Sequence, residues 1–464
     1  QRGGPMTAPA AAPRRPVPGA TRPYHFPRFE RRQLGNGIRL LVAPVTKLPL
    51  VTAIALVEAG AVCDPSGREG VAQLTAKLLL EGTERCDGAT LTERFERLGA
   101  SVESHADWDI GAVSMTAMAQ NFSAAFGILA EVLREPAFRE REVERLKAER
   151  QAELLQLRAE PRGLADELFA RFLYESGSRY ARPDGGDEEA VASITRDDVL
   201  RFYRSRYQPG ALTLVLVGDI TMERAESLAR EYLDDWTGGS PGVVTTSDAP
   251  ARTTRAIHVV AKPDAPQSEL RVGHVGLPRN HPDYFPTVIL NAVLGGLFSS
   301  RINLNLREAH GYTYGAFSSF DWRRQAGPFA VSTAVRSDVT DAAAREVLHE
   351  IERIRQEPIT ADELSLATSY LDGVFPIRYE STAAIAAALA NLVIYAMPDD
   401  FYDRYRERVR AVRADDVLRA ARTHLRADAL QMVVVGDPAT VRTPLEALAF
   451  GDLTVYDTLG RVAR

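Results

Sequence analysis

Lysine is nearly missing from this chain: of 464 residues, 56 are basic, and only Lys47, Lys77, Lys147 and Lys262 are lysine. Arginine carries the rest of the positive charge, the pattern of a G+C-rich coding sequence, so each lysine position is worth following. Cysteine is scarcer still. Cys63 and Cys86 cannot build a disulfide framework, and no Cys-x-x-Cys offers a structural zinc or a redox pair. A helix between them holds the two thiols apart. No apolar run reaches the roughly 18 residues that span a bilayer. Charge of one sign is also lacking: 56 basic against 62 acidic residues leaves −6, which excludes a long-range pull toward nucleic acid or anionic lipid. The eight histidines, His25, His105, His258, His274, His281, His310, His349 and His424, include no two spaced three to five apart, so no local pair forms a metal site. No G-x-S-x-G, P-loop or G-x-G-x-x-G falls between a strand and a helix.

What is present is globular and duplicated. With 45% hydrophobic and 25% charged residues the composition is that of a folded protein, and the length suits two domains of roughly 200 residues. Asp197-Asp198-Val199-Leu200-Arg201 returns as Asp415-Asp416-Val417-Leu418-Arg419. Leu214-Val215-Leu216-Val217-Gly218-Asp219 returns as Met432-Val433-Val434-Val435-Gly436-Asp437. Both pairs share one offset, and each copy reads as an acidic helix start, an amphipathic helix, a buried strand and a Gly-Asp turn. So long a period marks a duplicated domain and not a solenoid. The expected organisation is a flexible Pro/Ala/Arg/Gly segment over 1–27, a first domain over 28–237, a linker over 238–256 rich in Gly, Ser, Thr and Pro, and a second domain over 257–464. A chain that starts at Gln suits removal of a signal peptide, so the expected location is a bacterial periplasm, with the cytoplasm as the alternative.

Strands are expected at 37–43, 50–57 and 111–118, and helices at 67–81, 91–98, 121–133 and 139–158. The second copy opens with strands at 257–260 and 268–276 and a helix over 284–294. Strands and helices without strict alternation define the expected fold class: α+β, two homologous domains, each a mainly antiparallel sheet packed with helices.

The run Gly70-Val71-Ala72-Gln73-Leu74-Thr75-Ala76-Lys77-Leu78-Leu79-Leu80-Glu81-Gly82-Thr83 resembles the zinc-site helix of the pitrilysin/insulinase family, an inverted H-x-x-E-H that ends in Gly-Thr. In that frame the first metal His is Gln73, the catalytic Glu is Ala76 and the second metal His is Lys77. The resemblance implies a third ligand at Glu153. Read as a residue alone, Glu153 is a solvated member of a charge-rich helix. Gln offers a weak amide oxygen and Lys a cation, so the resemblance implies no metal in this chain, and Ala76 removes the general base.

The second half carries Leu294-Gly295-Gly296-Leu297-Phe298-Ser299-Ser300-Arg301 and then Leu306-Arg307-Glu308-Ala309-His310-Gly311-Tyr312-Thr313-Tyr314. This is similar to the family's second signature, in which the residues matching Arg307 and Tyr314 contact the substrate backbone beside the scissile bond. Both side chains can donate to a peptide carbonyl. The alternative is a structural ion pair for Arg307 and packing in a sheet for Tyr314. The resemblance implies a zinc-free, non-catalytic subunit of a heterodimeric zinc metallopeptidase. Its partner is a metal-bearing paralogous subunit that holds the zinc, and the pair encloses a peptide. A purely structural member of the family is the other reading.

Overall fold

The computed structural model describes residues 23–463. Two six-stranded sheets form it. The first contains β1 (Glu30–Gln33), β2 (Arg39–Pro44), β3 (Leu50–Val57), β4 (Ser101–Ala106), β5 (Gly111–Met118) and β6 (Leu212–Gly218), in the order β1-β2-β6-β3-β5-β4. The second contains β7 (Ala256–Ala261), β8 (Gln267–Val275), β9 (Ala316–Phe320), β10 (Pro328–Arg336), β11 (Gln431–Gly436) and β12 (Asp452–Tyr456), in the order β12-β7-β11-β8-β10-β9. From the second strand of each list onward the two orders are the same, as duplication requires. The outer strand differs: β1 runs antiparallel to β2, whereas β12 comes from the C-terminal end and runs parallel to β7. Within each sheet the repeated strand pairs in parallel, β2 with β6 and β7 with β11, and apart from β12 with β7 the other pairings are antiparallel.

The repeated Val/Leu run has a physical cause. On β6, Leu214 and Leu216 face the helices of their own domain, and Val215 and Val217 face a second core shared with the other half. A strand covered on both faces needs no polar alternation. Each domain covers the other's sheet with a helix. Helix Pro161–Leu173, from the first half, lays Leu164, Ala165, Leu168 and Phe169 on Val433 and Val435 of β11. Helix Thr382–Ile394, from the second, packs Ile385 and Leu389 with Val215 and Val217. Polar ties reinforce the exchange. Arg324 forks onto Glu58 at 2.6 and 2.9 Å, its backbone N–H donates to Asp109, and Thr52 meets Thr382 at 2.9 Å.

Residues between the domains make no helix or strand but are not loose. Thr246 and Ser247 accept from Arg179 and Ser178, and Asp248 accepts from the Ala326 N–H. The flexible lead-in expected over 1–27 lies outside the described residues as far as 22, and its last part is corrected. Phe26 is buried and stacks on Tyr402 at 4.8 Å, and the Tyr24 hydroxyl donates to the Tyr379 carbonyl, so aromatic packing anchors this end. The stretch Tyr284–Ala309 has the length and hydropathy of a membrane span, yet 67% of its apolar window is buried inside the protein.

Candidate functional site

Helix Val71–Leu78 is shorter than the expected 67–81 because its start is held from outside. Gly70 adopts φ +100°, and a side chain there would collide with the Gly185 carbonyl. The Asp64 carboxylate accepts from the Gly70 and Ala72 N–H groups at 2.7 and 2.8 Å, and Arg179 holds it at 2.7 Å. The helix thus begins at Val71, lies against β4 through the Ser104 hydroxyl on the Ala76 carbonyl, and buries Ala76 completely.

Gln73 and Lys77 project toward helix Glu140–Ala159. The Lys77 ammonium lies 3.5 Å from one Glu153 oxygen, and Arg150 donates to the other at 3.1 Å. Burial alone would raise the Glu153 carboxyl, but Arg150 and Lys77 outweigh it and hold the carboxyl below its usual range. The structure therefore brings together three of the residues aligned with a metal set, and Glu153 is ion-paired and not merely solvated. The pocket between Gln73, Lys77, Leu146, Arg150 and Gly185 measures about 10 Å³, room for one water. Two cationic side chains beside the one carboxylate, with no imidazole or thiolate, do not fit zinc. Ala76 offers no proton acceptor.

Arg307 and Tyr314 sit in the second half of the chain, on the segment between helix Tyr284–Asn291 and β9. Residues Ala292–Gly296 and Leu304–Ala309 are π-helical, a geometry frequent at functional sites, and Arg307 lies in the second of them. Gly295 permits the first to approach β9, since a Cβ there would fall 2.4 Å from the Ser318 nitrogen. The buried Asn303 amide bridges the two parts, donating to the Phe298 carbonyl at 2.7 Å and accepting from the Ala316 N–H at 3.1 Å. Thr333 fixes the Tyr314 turn through Thr313 and the Gly315 carbonyl, both at 3.0 Å. The Arg307 guanidinium stacks 4.7 Å over Phe298 and reaches Glu308 at 3.4 Å. Tyr314 is 93% exposed, so it does not pack in a sheet.

Sequence spacing missed one cluster. His281, Asp283 and His424 place ligand-type atoms within 4.8 Å of one another. Their bonds are already made: Asp283 accepts from Arg419 at 2.7 and 2.8 Å and pairs with His424 at 2.7 Å, while its N–H donates to His281 Nδ1. A cation would have to displace Arg419 and take the lone pair that His281 uses, so the cluster reads as a tie between two helix ends. The signal lay in two segments more than a hundred residues apart and needed the fold. The thiols are free: Cys86 is 3.6 Å from the Thr83 hydroxyl, and burial pushes the Cys63 thiol up to about 11.

Two duplicated sheet-and-helix domains, with an inverted metal motif stripped of its imidazoles, define a class: a metallopeptidase fold whose metal site has lapsed. The chain belongs to the insulinase (peptidase family M16) family. Residues 46–180 match the family's description "Insulinase (Peptidase family M16)" and residues 193–371 match "Peptidase M16 inactive domain". The human mitochondrial-processing peptidase subunit alpha is 25% identical over 96% of this chain and 87% of its own length. An uncharacterized zinc protease of Bacillus subtilis is 21% identical over 76% of this chain and 85% of its own. Among solved structures, a peptidase M16 inactive domain from Pseudomonas fluorescens superposes with a TM-score of 0.83 at 25% identity, covering 88% of this chain and 98% of that one. A protease from Helicobacter pylori gives 0.79 at 18% identity, covering 88% and 100%. Together with the lapsed site, these findings support a non-catalytic member of the family.

Proposed function

We propose that this chain is the zinc-free subunit of a heterodimeric zinc metallopeptidase. In this reading it closes a chamber over a peptide and presents Arg307 and Tyr314 to the peptide backbone, while a paralogous subunit carries the metal. One observation carries the proposal: the chain has a lapsed metal site in one half and, in the other, an exposed Tyr314 on a hydrogen-bonded turn seven residues after a half-buried Arg307. A tyrosine held in a fixed turn yet almost wholly exposed is poised for contact with something outside the chain. The human relative is an alpha subunit, which is in keeping with a two-subunit arrangement.

Arg307→Ala and Tyr314→Phe, each assembled with the metal-bearing paralogue, test the role. Loss of one such donor in a hydrolase costs about 2.7 to 4 kcal/mol, roughly a hundred- to a thousandfold in turnover. The expected loss here is smaller, because the partner's metal shares the polarisation of the carbonyl. It is larger for Arg307→Ala, which removes a charge and a fork of donors together. Unchanged turnover in both, with assembly intact, makes the pair a structural relic and favours the scaffold reading.

A further inference from the structure

Six arginines are buried among the described residues: Arg179, Arg271, Arg279, Arg301, Arg323 and Arg406. Five of them hold a carboxylate at 2.5 to 2.7 Å, on Asp64, Asp166, Glu363, Asp321 and Asp372 in turn. Arg279 holds none. Its residue is 8% exposed, and its Nη1 is sealed from solvent without a hydrogen bond. A buried cation without a counter-ion is costly, so the exception needs a reason.

What surrounds Arg279 is aromatic. Its guanidinium carbon lies 3.7 Å from the centroid of Tyr284, 4.9 Å from that of Phe401 and 6.0 Å from that of Tyr395. Such rings offset the charge, yet they leave the planar fork of N–H donors without an acceptor. The box is fixed in place. The Tyr395 hydroxyl donates to the Trp322 carbonyl at 3.1 Å, the Trp322 ring meets Tyr284 at 4.9 Å, and the Arg279 N–H donates to the Arg323 carbonyl at 2.9 Å. The nearby carboxylates are already engaged. Asp107 accepts from the Asp109 and Ile110 N–H groups, Asp109 from Tyr180 and the Arg324 N–H, Asp321 from Arg323, and Asp283 from Arg419.

The duplication supplies an internal comparison. Asp107-Trp108, in the hairpin between β4 and β5, returns as Asp321-Trp322 between β9 and β10. Beside Trp108 stand two cations, Arg179 at 5.4 Å and Arg323 at 4.2 Å, and each has its own carboxylate. The box around Trp322 has the cation and the rings but lacks the acid. Of the guanidinium nitrogens only Nη1 is both sealed and unpartnered, so Nε and Nη2 form the edge that an acceptor from outside can reach.

We infer that Arg279 is the binding site for a carboxylate that the chain does not itself supply, flanked by the rings of Tyr284, Tyr395 and Phe401. A carboxylate matches a guanidinium edge as a fork on a fork, which suits an in-plane approach between rings. The source is a small organic acid or the carboxylate of a peptide, and the site needs no second subunit. The test is calorimetric titration of the full chain with sodium acetate, with sodium benzoate, and with a short peptide carrying a free C-terminus against its amidated form, sodium chloride being the control. One carboxylate should bind per chain and raise the melting temperature. Arg279→Met should weaken that binding by on the order of tenfold or more, and Arg279→Lys, which keeps the charge without the fork, by less. Tight binding of the free peptide alone assigns the site to peptides, and binding of benzoate or acetate assigns it to small acids. In carboxylate-free buffer Arg279→Met should melt no lower than the parent, whereas Arg179→Met, which strands Asp64, should melt well below it. No binding of any of these probes at tens of millimolar, or binding that survives Arg279→Met, overturns the inference. So does an Arg279→Met chain as destabilised as Arg179→Met, because Arg279 would then have its partner within the fold.

Discussion

Lys77 is one of four lysines, and it stands beside the one carboxylate left from the metal set. Its ammonium neutralises Glu153 on the same side as a metal cation would, which explains how the carboxylate persists without a metal. The frame around it is intact: residues 73 and 77 share one helix face, and Glu153 is within reach. The triple variant Gln73→His/Ala76→Glu/Lys77→His should therefore bind about one zinc per chain, and the parent chain should bind none at this place. Elemental analysis after exhaustive dialysis reads both, and a triple variant without zinc would show that the backbone has drifted from ligand geometry. At this scale the sequence was most informative where chemistry is local. The loss of both imidazoles and of the general base was legible from the resemblance of the run Gly70 to Thr83 to the family's metal helix. The meeting of Lys77 with Glu153 was implied through the same resemblance, whereas that of His281 with His424 was not, because it joins residues far apart in the chain.

Elements were legible in proportion to how far local pattern decided them. The expected strands at 50–57 and 111–118 match β3 and β5, whose runs are largely apolar. β4, Ser-Val-Glu-Ser-His-Ala, escaped notice because an edge strand with one polar face carries little hydrophobic signal. The helix expected over 284–294 keeps α geometry to Asn291 and continues as a π-helical turn, Ala292–Gly296. Close approach to Ser318, which no local pattern encodes, selects that turn. Gly295→Ala should consequently destabilise the chain by about 1 to 3 kcal/mol, since the methyl meets backbone and not a movable side chain. Urea denaturation measures it, and a midpoint equal to the parent's contradicts the packing account. Helix Pro161–Leu173 was hidden for a different reason: nothing in its sequence says that it covers the other domain's sheet.

That exchange makes the two domains one cooperative body. Each sheet depends on a helix from the other half, so calorimetry should show one unfolding transition, and two well-separated transitions would contradict the shared core. The same body has a predictable response to acid. His258 on β7 and His274 on β8 are buried and neutral. His258 meets Gln431 at 3.1 Å, and His274 Nδ1 donates to the Val275 carbonyl while its Nε2 accepts from the Arg426 N–H. Burial pushes both down to about 4 from 6.5. With a folded pKa below the unfolded one, the unfolded state takes up protons first as pH falls. Their stabilisation is complete above about pH 6.5 and is lost between there and about pH 4, at up to roughly 3 kcal/mol each. The urea midpoint should drop across that window, and His274→Gln, which keeps a donor and an acceptor without titrating, should flatten the drop. An equal slope in the variant would assign the acid sensitivity elsewhere.

On the function proposed above, this chain, whose metal site has lapsed, acts only through a partner. The most direct measurement is the rate of peptide cleavage by the metal-bearing paralogue as this chain is added. The predicted result is no cleavage by this chain alone and a rate that rises to a plateau at equimolar ratio. Chelator-sensitive cleavage by this chain alone, or a paralogue whose rate is indifferent to it, would contradict the account.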